Sequence, residues 1–367
     1  MADKVKIGII GVGQIGKHHI ERYQNLPVEL VAFADINEEE LKRVAEQYGV
    51  KRTFTDFRDL LKVDEIVAVD VCLHNNLHAP VTIAALEAGK HVYCEKPIAG
   101  SYIDGKAMVE TAKKTGRMLS IQLSTVFSVE TKAAQRLIED GRLGDLYYAK
   151  SVGYRRRGRP YVDGYGTSSF VQKGIAAGGA LFDMGVYHIA QMLYLLGNPA
   201  VQTVTGATHQ AIPMYPDRQM SGKYDVEELG IGFVRLAGGI TLTLEESWAL
   251  HIGAEGSRSQ LFGSLGGVQL SPFSFHTTIA DMEMDGTFDL RSADWRWHQC
   301  LPNADAYDGP QQHWVAALQG RVPLIDTAGL ALTTMQISDG IYLSQRLGRE
   351  VTAAEIERES KSTAVKM

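Results

Sequence analysis

Apolar and polar positions follow two different rhythms along this 367-residue chain, and the rhythm changes near residue 124. In the first part, short apolar runs alternate with amphipathic stretches. The apolar runs predict buried strands at 5–10, 29–34, 65–73 and 91–94. The amphipathic stretches predict helices at 15–24, 38–48, 79–88 and 103–115. Strands and helices that alternate in this way indicate βαβ units and a parallel sheet.

The second part of the chain is dominated by runs that are typical of an antiparallel sheet. A helix at 131–139 and a strand at 147–154 lead into a long loop rich in glycine and arginine. Further strands are predicted at 201–207, 229–236, 239–248, 259–262 and 268–270. Helices are predicted at 313–318 and 330–347, and the polar tail from residue 350 is expected to be frayed. We therefore predict an α/β domain with a parallel sheet over 1–124 and an α+β domain with a large open, mostly antiparallel sheet over 125–367.

Composition and charge narrow the range of functions. Hydrophobic residues make up 45% of the chain and charged residues 22%, which is typical of a globular protein. The net charge of -6 argues against a nucleic-acid partner, because phosphate binding needs a basic surface and the basic run at 154–159 is short. No apolar run is long enough for a membrane span, and the run from Met1 into the first predicted strand leaves no room for a signal peptide. Cys72, Cys94 and Cys300 lack metal-ligand spacing, so we expect no metal site. We also expect a cytoplasmic protein without a membrane partner.

The first predicted strand is followed by Gly11-Val12-Gly13-Gln14-Ile15-Gly16, which opens the first predicted helix. A strand, a tight turn and a helix N-terminus form the setting in which G-x-G-x-x-G binds a dinucleotide. Gly11 permits the turn, Gly13 lets the backbone approach the pyrophosphate, and Gly16 allows close packing of helix and strand. The helix N-terminus offers free N–H groups to the phosphates. The motif in this setting predicts a Rossmann domain.

Asp35 lies 19 residues after Gly16, at the end of the second predicted strand. An acidic side chain there accepts hydrogen bonds from the adenosine ribose hydroxyls and repels a 2′-phosphate. Ile36 and Asn37 bring no cation that could pair with such a phosphate. We therefore predict NAD as the cofactor in preference to NADP. The alternative role of Asp35, capping the next helix, could be filled by Asn37.

A second candidate site follows the strand predicted at 91–94. Glu95-Lys96-Pro97 is expected at the carboxyl edge of the parallel sheet, where such sheets bind ligands. A lysine beside the cationic nicotinamide of NAD⁺ should lose its proton more easily and could act as a base. An isolated lysine is more often a solvated surface group, so this interpretation needs a second signal.

That signal is the stretch Gly178-Gly179-Ala180-Leu181-Phe182-Asp183-Met184-Gly185-Val186-Tyr187-His188. Together with the glycine turn, Asp35 and Glu95-Lys96-Pro97, it resembles the Gfo/Idh/MocA family of oxidoreductases. The resemblance runs across nearly the whole chain and includes 72–78, 141–144 and 263–267. It implies a Rossmann domain, an α/β domain with an open sheet, and oxidation or reduction of sugars, cyclitols or glycosides.

The resemblance also implies roles for individual residues. Lys96 and the Asp183 segment are expected to line the reaction site, with Asp183 orienting the substrate hydroxyls. The proton-transfer residue of the family usually lies four positions after the Asp, which is Tyr187 here, and His188 follows it. Four residues on a helix bring two side chains to one face and five do not, but the glycines could delay the helix start. Tyr187 and His188 both remain candidates.

Residues around these motifs complete the predicted sites. The remaining expected cofactor contacts are Gln14, Ile15, Leu73, His74, Asn75, His78, Glu95 and Lys96. The expected substrate contacts are Lys96, Arg157, Tyr165, Asp183 and His188. Arginine and aromatic side chains suit polyhydroxylated rings or carboxylates, although a solvated loop or a subunit contact explains Arg157 and Tyr165 equally well. A second edge of the pocket or a neighbouring chain is one possible place for Trp248, Trp295, Trp297, His298 and His313, but core or interface packing is the expected role of most of them.

The sequence thus predicts an NAD-dependent dehydrogenase that acts on a secondary hydroxyl of a sugar, cyclitol or glycoside, with C3 of a glucoside-type ring preferred. One alternative makes the hydride transfer transient, as in a redox-neutral lyase, glycosidase or epimerase. Another is a non-catalytic dinucleotide-binding regulator, against which the presence of Lys96, Asp183 and Tyr187-His188 argues. Apolar positions on both faces of the second sheet indicate a homo-oligomer, either a dimer or a tetramer.

Overall fold

The computed structural model describes residues 4–221 and 223–367. Residues 1–3, on which the expected lack of a signal peptide partly depends, lie outside the described residues. Within the described ranges, no helix combines the length and the apolar character that a membrane crossing requires.

The first part of the chain folds into alternating strands and helices, as the apolar pattern predicts. The elements are β1 (Val5–Ile10), α1 (Gln14–Tyr23), β2 (Val28–Ala34), α2 (Glu38–Tyr48), β3 (Arg52–Phe54), α3 (Phe57–Leu61), β4 (Ala68–Val71), α4 (Asn75–Glu87), β5 (His91–Cys94), α5 (Tyr102–Thr115) and β6 (Leu119–Ile121). The six strands form one parallel sheet in the order β3-β2-β1-β4-β5-β6. The strand order reverses between β1 and β4, so a crevice opens at the carboxyl ends of these strands.

The region around α4 differs from the prediction at both ends. The strand predicted at 65–73 is limited to β4, and α4 begins at Asn75 instead of residue 79. Pro80 lies inside α4 and has no N–H for the carbonyl of Asn76, one turn earlier. The N–H of Val365 donates to that carbonyl at 3.1 Å. The C-terminal tail therefore supplies the hydrogen bond that the proline cannot make.

The second part of the chain contains a large sheet with helices on one face. Its elements are α6 (Val129–Glu139), β7 (Leu146–Tyr154), α7 (Lys173–Ala176), α8 (Val186–Leu195), β8 (Val201–His209), α9 (Pro216–Ser221), β9 (Leu229–Leu236), β10 (Thr241–Ser247), β11 (Gly256–Ser257), β12 (Gln260–Gly263), β13 (Gly266–Gln269), β14 (Ser274–Ile279), β15 (Met282–Gly286), α10 (Leu290–Cys300), α11 (Pro310–Leu318), α12 (Thr327–Leu347), β16 (Val351–Thr352) and α13 (Ala353–Glu359).

The strands of this sheet run in the order β15-β14-β13-β12-β7-β10-β9-β8-β16, and β11 pairs with β7. All pairs are antiparallel except β7 with β10, which is parallel. In β9, Val234 and Leu236 are buried, whereas Ile231 and Arg235 on the opposite face are exposed. This alternation is typical of a sheet that is covered on one face.

The tail that follows residue 350 is ordered, so the prediction of a frayed tail is wrong. Val351 and Thr352 form β16 against β8, and a capping box of Thr352 and Glu355 starts α13. Beyond α13, the N–H of Thr363 donates to the Asp104 carboxylate at 2.9 Å. A polar composition suggested fraying, but the pairing of β16 with β8 and the bond of Thr363 to Asp104 depend on partners more than 100 residues away in sequence.

Helices from the end of the chain also pack against the first sheet. Trp314 of α11 belongs to the apolar cluster that contains Ile7 and Tyr93. At the start of α12, the hydroxyl of Thr327 accepts the N–H of Ile121 at 2.9 Å. These contacts hold the two sheets beside each other and shape the cleft between them.

Candidate active site

A cleft of about 500 Å³ lies between the carboxyl ends of the parallel strands and the second sheet. Its walls come from both parts of the chain and include Ile15, Leu73 and Lys96 on one side and Asp183, Tyr187 and Trp248 on the other. A concave site at the switch point of a parallel sheet is the usual position of a dinucleotide and its substrate.

The glycine turn at the base of the cleft has the shape that a dinucleotide requires. Gly11 has φ of +94°, and a Cβ there would lie 2.4 Å from the carbonyl oxygen of Cys72. A Cβ on Gly16 would lie 2.0 Å from the carbonyl oxygen of Gly11, so helix and strand can approach only at glycine. A Cβ on Gly13 would meet nothing within 4 Å, and Gly13 is the N-cap residue of α1, without a side-chain cap. The open space and the uncapped N–H groups fit a pyrophosphate.

Asp35 is already oriented towards this turn. Its Oδ2 accepts the N–H of Val12 and its Oδ1 accepts the N–H of Asn37, both at 2.9 Å. The helix-capping role belongs to Asn37, whose side chain accepts the N–H of Glu40 at 3.1 Å. Asp35 is therefore not needed as a helix cap and stands at the end of β2, where a ribose-binding carboxylate belongs.

Lys96 and Asp183 meet in the cleft. The Nζ of Lys96 donates to Oδ1 of Asp183 at 2.9 Å and to the carbonyl of Asp183 at 3.1 Å. It also lies 4.8 Å from the centre of the Tyr187 ring. Burial alone would lower the pKa of Lys96, but Asp183 and Tyr187 outweigh it and raise that pKa. In the chain without a cofactor, Lys96 is therefore an ammonium with a raised pKa. A nicotinamide cation beside it is expected to lower that pKa instead.

The carboxylate of Asp183 is held from two further directions. Its Oδ2 accepts the indole N–H of Trp248 at 2.9 Å and lies 3.6 Å from the guanidinium of Arg155. Burial would raise the pKa of Asp183, but Lys96 and Trp248 lower it. Asp183 is thus an ionised acceptor with two hydrogen-bond donors, Lys96 and Trp248, and a third positive or polar neighbour in Arg155.

A short π-helical turn presents Asp183 and Tyr187. Leu181–Gly185 form this turn, which continues directly into α8. The buried carboxylate of Glu227 accepts the N–H groups of Gly179 and Leu181 at 3.0 Å and the hydroxyl of Tyr342 at 2.8 Å. Glu227 therefore fixes the start of the turn, and turns of this kind occur often at functional sites.

Tyr187 and His188 point to different surroundings. Tyr187 lines the cleft beside Lys96, whereas His188 is not among the residues that line it. The Nδ1 of His188 pairs with Oε2 of Glu246 at 2.7 Å, and Ser151 donates to the other oxygen of Glu246 at 2.7 Å. His188, predicted as a catalytic and substrate-binding residue, is held against the second sheet by a buried carboxylate.

The remaining predicted cofactor contacts are mostly at the cleft. Ile15, Leu73, His74, Asn75 and Glu95 line it, and Gln14 lies at the first position of α1. His78 is not among the residues that line the cleft. Its side chain is fully buried, and its two ring nitrogens lie 2.7 and 3.0 Å from the carbonyl oxygens of Pro97 and Leu73. His78 therefore packs between two loops that border the cleft.

The two loop residues that were predicted as substrate contacts bond to other residues of the same loop region. Arg157 lies 3.7 Å from the carboxylate of Asp163 and over the ring of Tyr215, and it does not line the cleft. Tyr165 is absent from the lining as well; its hydroxyl donates to the carbonyl of Gly158 at 2.6 Å and accepts from Arg155 at 2.8 Å. Arg155, which donates to the Tyr165 hydroxyl, is also absent from the lining, but its guanidinium lies 3.6 Å from the carboxylate of Asp183.

Sequence reasoning missed Glu227 as a part of the site and left Trp248 between a pocket edge and packing. Trp248 is buried with its indole N–H on Asp183. Its position at the end of a predicted strand, beside the charged pair Glu245-Glu246, was the available signal. Nothing in the local sequence links Glu227 to Gly179, because the contact depends on the tertiary fold.

Comparisons with known proteins give results that agree with this geometry. Residues 5–123 match the family model described as "Oxidoreductase family, NAD-binding Rossmann fold". Residues 131–269 match the model of the GFO/IDH/MocA C-terminal domain. The D-glucoside 3-dehydrogenase of Escherichia coli is 30% identical over 355 residues, which cover 95% of this chain and 97% of that protein.

Two further relatives extend the comparison. The myo-inositol 2-dehydrogenase of Thermotoga maritima is 26% identical over 263 residues, covering 71% of this chain and 74% of that protein. The solved structure of levoglucosan dehydrogenase in complex with NADH superposes with a TM-score of 0.78 at 23% identity, covering 96% of this chain and 99% of that one. The likeness to that structure shows a shared fold over nearly the whole chain.

Proposed function

The chain belongs to the Gfo/Idh/MocA family of NAD-binding oxidoreductases, and from that premise we propose that it oxidises a secondary hydroxyl of a sugar, cyclitol or glycoside. The proposed position is C3 of a glucoside-type ring. The observation that carries the proposal is the contact of Lys96 with both Asp183 and Tyr187 in one cleft. The similarity to a D-glucoside 3-dehydrogenase along 95% of the chain supports the choice of ring and position.

The side chains of the cleft have different roles in the proposed oxidation of the hydroxyl. Asp183, ionised and fixed by Lys96 and Trp248, accepts hydrogen bonds from substrate hydroxyls and so orients the ring. The pair formed by Lys96 and Tyr187 first releases one proton to solvent, and it then takes the proton of the reacting hydroxyl as the carbon gives up its hydride. Bound NAD⁺ supplies the hydride acceptor and a positive charge that lowers the pKa of both groups.

Tyr187 is the proposed proton-transfer residue in preference to His188. Burial raises the pKa of the Tyr187 hydroxyl, and the ammonium of Lys96 acts in the opposite direction. A tyrosine in contact with a lysine can relay a proton between substrate and solvent because each group can hold it in turn. His188 lacks a place in the cleft lining, which supports a role in holding α8 to the sheet.

The proposal includes a cytoplasmic homo-oligomer. Cys72 and Cys94 are buried free thiols, which suits a reducing compartment. The outer face of the second sheet carries partly exposed apolar and aromatic side chains, among them Ile231, Tyr148 and Phe262. A second copy of the chain placed on this face would bury these side chains, giving a dimer or tetramer.

Absorbance of NADH at 340 nm, followed with methyl glucosides, free aldoses, inositols and anhydro-sugars, tests the proposal. We expect NADH to accumulate in a 1:1 ratio with a keto-glycoside, and Lys96→Met to remove turnover while NADH still binds. Lys114→Met, the same change on the exposed surface of α5, serves as the control and should have no effect. Substrate turnover without net NADH would favour a redox-neutral reaction, and normal turnover by Lys96→Met would contradict the proposed site.

A further inference from the structure

A buried chain of charged side chains links α1 to the peptide that carries Lys96. The Nδ1 of His19 lies 2.9 Å from Oδ2 of Asp70, and its Nε2 lies 2.8 Å from Oε1 of Glu95. The other carboxylate oxygen of Glu95 accepts the backbone N–H of Lys96 at 2.9 Å. Only 3% of the His19 side chain is exposed, and Asp70 is fully buried.

The hydrogen bonds determine the charge of the imidazole. A carboxylate oxygen is only an acceptor when the group is ionised, so each ring nitrogen that faces an ionised carboxylate has to carry a proton. His19 faces two of them and is therefore an imidazolium. Burial alone would lower the pKa of His19, but Asp70 outweighs it, and the pKa of His19 is raised well above its ordinary value.

The other titratable groups around the ring stay neutral. Cys72 follows β4, with its Sγ 3.4 Å from Nδ1 of His19, and the ring of Tyr93 from β5 packs against the imidazole. Burial raises the pKa of Cys72, of Tyr93 and of Tyr23 on the same helix as His19. The carboxyl groups that bond to His19 are Asp70 and Glu95, and Lys96 follows Glu95 in the chain.

We propose that His19 is a positioning residue for the reaction, clamped between Asp70 and Glu95 so that it fixes the Lys96 peptide and places a positive charge behind it. The inference rests on the proposed function, in which Lys96 and Tyr187 handle the substrate proton. The same helix, α1, offers its N-terminus to the pyrophosphate one turn before His19. His19 therefore ties the element that holds the cofactor to the strand end that presents the lysine.

The charge arrangement gives His19 a role that packing alone does not provide. Glu95 raises the pKa of Lys96, and His19 lowers the pKa of Tyr187. An imidazolium behind Glu95 limits how strongly that carboxylate holds the protons of the reacting pair. Removing the positive charge makes both protons harder to release, whereas removing the negative charge of Glu95 makes them easier to release.

Two variants and a histidine control test the proposal. His19→Gln keeps a polar side chain of similar length but cannot be charged, and Glu95→Gln removes the negative charge. His276→Gln is the control, because His276 lies on β14, is not among the residues that line the cleft, and has a side chain that is 49% exposed. For each variant, kcat for sugar oxidation is measured from pH 6.5 to 10, and NADH binding is measured by fluorescence.

We expect His19→Gln to lower kcat by about 10- to 100-fold, as displacement of a reacting group does, while NADH affinity changes by about twofold at most. The rising limb of its pH–rate profile should move up by about one pH unit, and that of Glu95→Gln should move down. His276→Gln should match the wild type. An unchanged limb in His19→Gln, or a loss confined to NADH affinity, would overturn the proposal.

A second readout does not depend on turnover. In protein with ¹⁵N-labelled histidine, the His19 ring, assigned by its loss in His19→Gln, should show two protonated nitrogens at pH 8. One unprotonated nitrogen at that pH would contradict the charge on which the proposal depends. A failure of the proposed function gives a different result, because the wild type would then oxidise no member of the sugar panel while the His19 ring remained doubly protonated.

Discussion

The Nζ of Lys96 lies 2.9 Å from Oδ1 of Asp183, although 87 residues separate them in the sequence. Lys96 follows the fifth strand of the parallel sheet, and Asp183 stands in the π-helical turn that precedes α8. The two parts of the chain therefore have to dock before the site exists. The following predictions concern the groups that this docking brings together.

The first prediction separates the two candidates for proton transfer. Tyr187→Phe keeps the ring over Lys96 but removes the hydroxyl, so kcat should fall by about 10²- to 10⁴-fold. His188→Gln should retain kcat within about tenfold, because His188 bonds to Glu246 outside the cleft lining. Steady-state kinetics with saturating NAD⁺ decides between them. A larger loss in His188→Gln than in Tyr187→Phe would reverse the assignment.

The second prediction concerns stability against pH at His188. Burial would lower the pKa of His188, but Glu246 outweighs it, so the pKa in the folded protein is raised above 6.5. A group with a raised folded pKa stabilises the protein fully below its unfolded pKa, and this contribution is lost as the pH rises through the folded value. Denaturant unfolding of His188→Gln should therefore show its largest loss of stability below pH 6.5 and a smaller one at alkaline pH.

The matched control for that measurement is His251→Gln, because His251 is exposed. Its stability should follow the wild-type curve at every pH. The free energy of unfolding could also differ between His188→Gln and the wild type by the same amount at every pH. That result would show that the pair of His188 and Glu246 contributes no net charge interaction.

The third prediction concerns the choice of cofactor. Asp35→Ser removes the carboxylate that faces the ribose position while Asn37 continues to cap α2. The ratio of kcat/KM for NADP to that for NAD should rise by about 100-fold, since a charge repulsion and a pair of ribose hydrogen bonds are both lost. Glu38→Ser, at the exposed start of α2, should leave the ratio unchanged. An unaltered ratio in Asp35→Ser would place the ribose elsewhere.

The fourth prediction concerns the C-terminal tail. Val365→Pro removes the N–H that bonds to the Asn76 carbonyl, which Pro80 leaves without a partner in α4. The variant should lose about 1 kcal/mol of unfolding free energy, the usual contribution of one hydrogen bond. Val365→Ala keeps the N–H and is the control in a denaturant titration. Equal stability of both variants would show that this bond does not contribute.

The parts of the site that depend on a few neighbouring residues could be predicted from the sequence. The glycine turn could be assigned because a predicted strand precedes it and a predicted helix follows it. The role of Asp35 could be predicted from its distance to Gly16. Lys96 and Asp183 could be paired only through the family resemblance, because periodicity does not show which loops of two sheets will meet.

Other parts were missed because their meaning depends on distant partners. The sequence suggests that His78 contacts the cofactor, but in the structure its two ring nitrogens face the carbonyl oxygens of Pro97 and Leu73. The polar composition of the tail suggests disorder, yet the N–H of Val365 donates to the Asn76 carbonyl, which Pro80 cannot satisfy in α4. In the arginine-rich loop, composition alone could not distinguish Arg155, which reaches Asp183, from Arg157, which pairs with Asp163.

The central claim is that Lys96 and Asp183 meet beside the reactive face of the nicotinamide. A crystal structure of the protein with NADH and an oxidisable glycoside tests it most directly. We predict that the reacting hydroxyl lies between the nicotinamide ring and the Lys96–Tyr187 pair, with a neighbouring hydroxyl on Asp183. A nicotinamide bound away from Lys96, or a sugar held outside this cleft, would contradict the account.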